Sequence, residues 1–192
     1  GQLGLADVVL RSSPVQVGAL TTWTSIVVAK EHVLALKSDG TLWSWGMNSV
    51  GQLGLGDVVN RSSPVQVGTL TTWTSIGGGQ RHFGAIKSDG TLWTWGYNPQ
   101  GQLGHGDATY RSSPVQVGTL TTWTSVSVAS IALHTVATKS DGTIWAWGRN
   151  TSGELGLGDA ANKNSPIQVG SLTSWTSTAK GGFTHSLALR RG

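Results

Sequence analysis

A chain of 192 residues with 38% hydrophobic and only 11% charged residues, no cysteine, 28 glycines and 10 tryptophans cannot be a disulfide scaffold, a thiolate zinc site or a cysteine-nucleophile enzyme. Its net charge of +4 comes from 13 Lys and Arg scattered along the chain, Arg190-Arg191 being the only adjacent pair, so the basic stripe of a specific nucleic-acid binder is missing. No run reaches the roughly 18 apolar residues of a membrane helix, and no membrane insertion is expected.

In chain order, residues 1–50, 51–100, 101–152 and 153–192 are copies of one unit, the third with two extra residues and the fourth incomplete. A period near 50 residues signals stacked supersecondary units, read here as one array over 1–192. Within the second copy, Gly51, Gly54 and Gly56 crowd the opening, and four short strands follow, near Val65–Val67, Trp73–Ile76, His82–Lys87 and Thr91–Gly96. Asp89-Gly90, repeated as Asp39-Gly40 and Asp141-Gly142, predicts a two-residue type I′ hairpin. That turn would set Ile86 opposite Trp93 and Gly84 opposite Trp95 on one bulky face, with Ala85 and Thr94 on a smaller one. Four-stranded sheets with two buried faces, repeated, stack around an axis as a β-propeller. The expected fold class is therefore an all-β propeller of four-stranded antiparallel blades.

GQLGLGD, SPVQV, the Trp-Thr-Ser strand, the Gly-rich lead to His82, and SDGTLWTWGYN resemble, in that order, the repeat of the regulator of chromosome condensation family. The resemblance implies a seven-bladed propeller with a blade completed by strands from both chain ends. Four units are fewer than seven blades. The chain therefore reads as an excerpt of a longer protein, in keeping with its lack of an initiator Met, or as an arc that self-associates through open ends, a small ring being the third option. The same family implies guanine-nucleotide exchange on a small GTPase through a wedge-like insertion, but the largest length change between copies is two residues.

Most conspicuous residues belong to the repeat. His32, His82, His134 and His185 recur five residues before a Lys or Arg and read as structural histidines bonded to backbone within a blade; His105 stands outside the pattern and reads as exposed. Asp7, Asp57, Asp107 and Asp159 close the glycine turns by accepting backbone N–H bonds, one acid per turn being too few for calcium. GQLGLG has no helix behind it to hold a phosphate. The tryptophans read as blade core, and Asn60 and Asn150 start glycosylation-like triplets. No nucleophile with an adjacent base departs from the repeat, so the reading is non-enzymatic, with no cofactor or metal.

Function is sought where copies disagree. Copies one and two differ at 15 of 50 positions, eight of them between 27 and 36 and three more at 47, 49 and 50. Residues 27–31 and 77–81, with the insertion at Ser127–Leu133, are expected to be loops displayed on one face of a constant scaffold. Lys30, Glu31, Met47, Gln80, Arg81, Tyr97 and Arg149 are the candidate ligand-binding residues. The expected function is a protein- or glycan-binding module or an assembly part, at an extracellular or virion surface, with a purely structural spacer as another option.

Overall fold

The computed structural model describes residues 1–19, 21–128, 133–179 and 187–190, and all regular structure among them is β. The first sheet holds β1 (Trp23–Val28), β2 (His32–Lys37), β3 (Leu42–Gly46) and β4 (Arg61–Gln66) in that spatial order. The second holds β5 (Trp73–Gly78), β6 (His82–Lys87), β7 (Leu92–Gly96) and β8 (Arg111–Gln116), and the third β9 (Trp123–Ser127), β10 (His134–Lys139), β11 (Ile144–Gly148) and β12 (Lys163–Gln168). A two-stranded sheet follows, β13 (Trp175–Ala179) with β14 (Leu187–Arg190). All pairings are antiparallel.

Each four-stranded sheet is out of phase with the sequence copy. Its first three strands come from one copy, and its fourth, the RSSPVQ-type strand, from the next. The same RSSPVQ sequence at 11–16 is not a strand; no Trp-x-Trp-Gly strand stands beside it among the described residues. Counting motif copies in the sequence gives fifteen strands, and fourteen are described.

The hairpin turn differs from expectation by one residue. Gly90 N–H donates to Lys87 O (2.9 Å) and Lys87 N–H to Thr91 O (3.0 Å), so the loop is the three residues Ser88-Asp89-Gly90, a type I turn closed by a left-handed glycine. Asp89 Oδ1 explains the choice, since it accepts from both Thr91 N–H (3.0 Å) and the Thr91 hydroxyl (2.6 Å). The Thr91 oxygen in turn accepts from Trp93 Nε1 at 2.8 Å. The register is therefore Ile86 with Leu92, Ala85 with Trp93, Gly84 with Thr94 and Phe83 with Trp95. A one-residue change in loop length exchanges the two faces of a strand, which corrects the expected pairing of Ile86 with Trp93 and Gly84 with Trp95.

The corrected faces fit each other across sheets. Leu34, Leu36 and Leu42 of the first sheet pack on Trp73, Phe83, Ala85 and Trp95 of the second. Ile86 and Leu92 pack on Trp123, Ala137 and Trp147 of the third. An aliphatic face thus meets an aromatic one at each junction. Strands β1, β5, β9 and β13 contact one another in turn, so they form the inner column, with β4, β8 and β12 at the outer margin. Lys87 lies against the aromatic face, its Nζ 3.5 Å from the Trp93 ring centroid, an arrangement repeated by Lys37 and Lys139.

The turn makes a sharp prediction. Gly90 has φ +76°, and a Cβ there would lie 2.1 Å from the Thr121 carbonyl oxygen. Gly90→Ala should therefore lower stability by about 1–3 kcal/mol, from left-handed strain together with the overlap. Urea unfolding followed by tryptophan fluorescence measures it, and an unchanged midpoint would refute the turn geometry.

Candidate functional site

The strands run so that each of the three four-stranded sheets has two chemically different edges among the described residues. One carries the Ser-Asp-Gly turns and the Gly-x-Leu-Thr links, nearly the same in each copy; the other carries the short loop between the first two strands and the long connector after the third. Here the copies differ, and all seven candidate residues sit on this second edge.

Backbone bonds fix their relation. Met47 N–H donates to Glu31 O, Tyr97 N–H to Arg81 O, and Arg149 N–H to Leu133 O, each at 2.9 Å. Glu31 with Met47, Arg81 with Tyr97, and Leu133 with Arg149 are thus three versions of one position. Lys30 is exposed beside Glu31, and Gln80 half-buried beside Arg81. Glu31 and Met47 line a cavity of about 340 Å³ with Arg61 and Ser62. Arg149 is engaged structurally, its Nε 3.3 Å from Glu154 Oε1 and 2.9 Å from Thr151 Oγ1.

The expected display of 27–31 and 77–81 as loops is corrected for Val27, Ala29 and Gly77–Gly79, whereas Val28 stays 60% exposed, though at the end of strand β1. Val27 and Ala29 are buried, as are Gly77, Gly78 and Gly79. A Cβ on Gly78 would lie 2.4 Å from a Phe83 ring carbon and 2.6 Å from Val27 Cγ1. The glycines make room in the inner column for the neighbouring valines, so this variation is matched packing. Residues 30–31 and 80–81 alone form the loop tips. Positions 129–132 of the third copy's insertion lie outside the described residues.

The connectors are built around a buried asparagine. Asn48 Nδ2 donates to Asp57 O (3.0 Å), Asp57 Oδ1 (3.0 Å) and Val59 O (3.1 Å), while its Oδ1 accepts from Leu53 N–H (2.8 Å). Asn98 and Asn150 repeat the pattern. Asn150 is wholly buried with its amide engaged, which removes it as a glycosylation acceptor. The turn aspartates do accept backbone N–H bonds, Asp57 from Val59 and Asp107 from Thr109, and each also pairs with a base four residues on, Asp107 with Arg111 at 2.6 Å. The Val59 and Thr109 N–H bonds, foremost, hold the Asp57 and Asp107 carboxyls below the usual carboxylate range.

One junction departs from this pattern. Asn60 Oδ1 accepts from Asn48 N–H (2.7 Å) and Asn162 Oδ1 from Asn150 N–H (2.8 Å); at the equivalent place in the second connector stands Tyr110, which lacks that carbonyl. Its ring lies 5.0 Å from that of Tyr97, and these are the chain's two tyrosines. Tyr110 is 45% exposed. Partial burial and then Tyr97 hold its hydroxyl above the usual phenol value, with the Arg81 charge acting in the opposite direction. Sequence reasoning missed Tyr110 and the buried Glu154, although aligning three copies reads Asn-Tyr-Asn and Gln-Gln-Glu at those positions. Tyr110→Asn should restore the missing bond and raise stability by about 1 kcal/mol, read as a higher urea midpoint; a lower midpoint would contradict the comparison.

His32 and His82 are buried, but the contacts described for them run to the neighbouring sheet. His82 is fully buried, with Nε2 3.1 Å from the Thr135 hydroxyl of the next sheet, which donates to Gln102 O (2.9 Å). His32 packs edge-on against Phe83, centroids 4.8 Å apart. Burial first, then the Arg81 charge, lowers His32 to about 4; burial first, then the proximity of His134 and His32, lowers His82 to about 3. His105 is half-buried rather than exposed, its Nε2 3.0 Å from the Thr94 hydroxyl. His185 lies outside the described residues. No three metal-ligating side chains converge among the described residues.

Stacked antiparallel sheets that borrow their last strand from the next repeat define an arc of β-propeller. The family model for the regulator of chromosome condensation repeat matches residues 39–86, 89–138 and 141–189, and a second model with that description matches 23–52, 73–102 and 126–154. The chain belongs to this family. Among solved structures it is similar to Prp20p of Saccharomyces cerevisiae (23% identity, TM-score 0.76, covering 88% of this chain and 44% of that one). It is also similar to human WBSCR16 (22%, 0.78, 88% and 46%) and to yeast Prp20 bound to Kap60 (24%, 0.69, 80% and 38%). The chain thus spans less than half the length of each.

Proposed function

We propose that this chain is a non-enzymatic interaction module that binds a partner protein through the variable edge of its blades. The observation that carries the reading is the set of backbone-fixed pairs Glu31–Met47, Arg81–Tyr97 and Leu133–Arg149, one geometry presenting different side chains at three successive junctions. A constant scaffold with varied edge residues is how binding surfaces are commonly built. The solved relative Prp20p is described as binding Gsp1p and histones, and is seen bound to Kap60, which supports a protein rather than a glycan as the partner class.

Residues 30–31 and 80–81 can be exchanged without disturbing the inner column, unlike the longer runs that contain them. Affinity capture by the unaltered chain should yield a discrete partner that the exchanged chain loses and a Ser88→Ala control on the opposite edge keeps. Equal capture by all three would end the reading. Exchange-factor activity toward a small GTPase is the second reading, favoured by family membership; acceleration of nucleotide release from a GTPase by the isolated chain would establish it, and no acceleration would remove it.

A further inference from the structure

We propose that Arg81, Tyr97 and Tyr110 form a site for an acidic side chain, Asp or Glu, carried by a peptide segment of the partner protein. The inference rests on the protein-binding reading of the variable edge and names the chemistry of one junction on it.

Three observations converge there. First, the repeat is broken at Tyr110, in contact with the variable Tyr97, and the connector gives up the side-chain bond that Asn60 and Asn162 supply elsewhere; local departures from a consistent pattern concentrate at functional sites. Second, Arg81 is half-buried and takes part in none of the described ion pairs. The other edge arginines are engaged, Arg11, Arg61 and Arg111 with aspartates and Arg149 with Glu154. Third, the two tyrosine rings pack at 5.0 Å with Tyr110 45% exposed, giving a paired aromatic surface open to solvent.

A guanidinium fork matches a carboxylate through two parallel bonds, and the rings take the apolar flank of the same segment. Tyr and Arg are the residue types that dominate binding energy at protein interfaces. Selectivity between junctions follows from the position equivalent to Arg81. Glu31 stands there in the first sheet and repels an acid, and Leu133 in the third offers it no charge.

The composition supplies reporters, since the chain contains two tyrosines and one methionine, Met47, which lies on the same edge at the first junction. The chain labelled with ring-¹³C tyrosine and methyl-¹³C methionine is titrated with a capped Gly-Glu-Phe-Gly peptide, its Gln counterpart and a hyaluronan oligosaccharide. The expected result is saturable movement of both tyrosine signals with the Glu peptide, with affinity for the Gln peptide weaker by about tenfold or more, and a still Met47 signal. Arg81→Gln, with an unchanged tryptophan emission spectrum as evidence of folding, should remove the response. Absence of tyrosine movement, equal response to both peptides, or response to the oligosaccharide alone would each overturn the proposal. Movement of Met47 alone would overturn it while leaving the edge as a protein-binding surface.

Discussion

Trp95→Ala is expected to lower the unfolding free energy by about 3–5 kcal/mol, the range for removing a fully buried aromatic side chain from a packed core. Trp95 has no solvent exposure and lies between Trp73 and Phe83, with ring centroids 6.5 and 5.9 Å away. Its indole N–H donates to Gln52 O at 3.0 Å, tying the second sheet to the glycine turn of the preceding connector, between β3 and β4. Gly54 presses against that ring so closely that a Cβ would fall 2.7 Å from Nε1, leaving backbone on one side of the vacancy that cannot collapse inward. Trp95→Phe keeps most of the ring and loses chiefly the Gln52 bond, so it should cost about 1 kcal/mol. Urea titration followed by fluorescence separates the two variants, and a loss below about 1 kcal/mol for Trp95→Ala would contradict the packing described.

Acid should weaken the fold well before its carboxylates titrate. His32 and His82 are 1% and 0% exposed and lowered to about 4 and about 3, in each case by burial first, whereas an unfolded chain takes up their protons near pH 6.5. The unfolded state therefore binds more protons below that pH. The stability these groups allow is complete above pH 6.5 and falls through the window down to pH 4 for His32 and pH 3 for His82. Each contributes a slope of roughly 1.4 kcal/mol per pH unit, so the two together remove roughly 4 kcal/mol between pH 7 and pH 5. Asp57, Asp89 and Asp107 are lowered from 3.8, so their contribution is lost only at lower pH and does not mask the effect. Denaturation at pH 7, 6 and 5 tests it; a flat profile would mean that these histidines reach solvent.

The sequence made the architecture legible because a repeat of this period, with Asp-Gly turns and paired tryptophans, leaves few ways to bury both faces of every sheet. Register escaped it. Asp-Gly is compatible with a two- or three-residue loop, and the choice made by Asp89 bonding to Thr91 moved Trp93 from Ile86 to Ala85. The phase of the sheets also escaped, since nothing in SPVQV states whether it pairs with the strand before or after it. Copy-to-copy variation pointed correctly to one edge for Lys30, Glu31, Gln80 and Arg81, and misleadingly for Val27 and Gly77–Gly79, because compensating core volumes vary as freely as exposed loops. Tyr110 stayed hidden since its meaning depends on a backbone donor, Asn98 N–H, that no pattern of residues displays.

The variable edge as a partner surface is tested most directly by placing a photo-crosslinking phenylalanine analogue at Tyr97 on that edge and, in a separate chain, at Ser88 on the constant edge. Covalent adducts of discrete mass are expected from position 97 and none from position 88. Adducts from position 88 alone, or the same adducts from both, would contradict it.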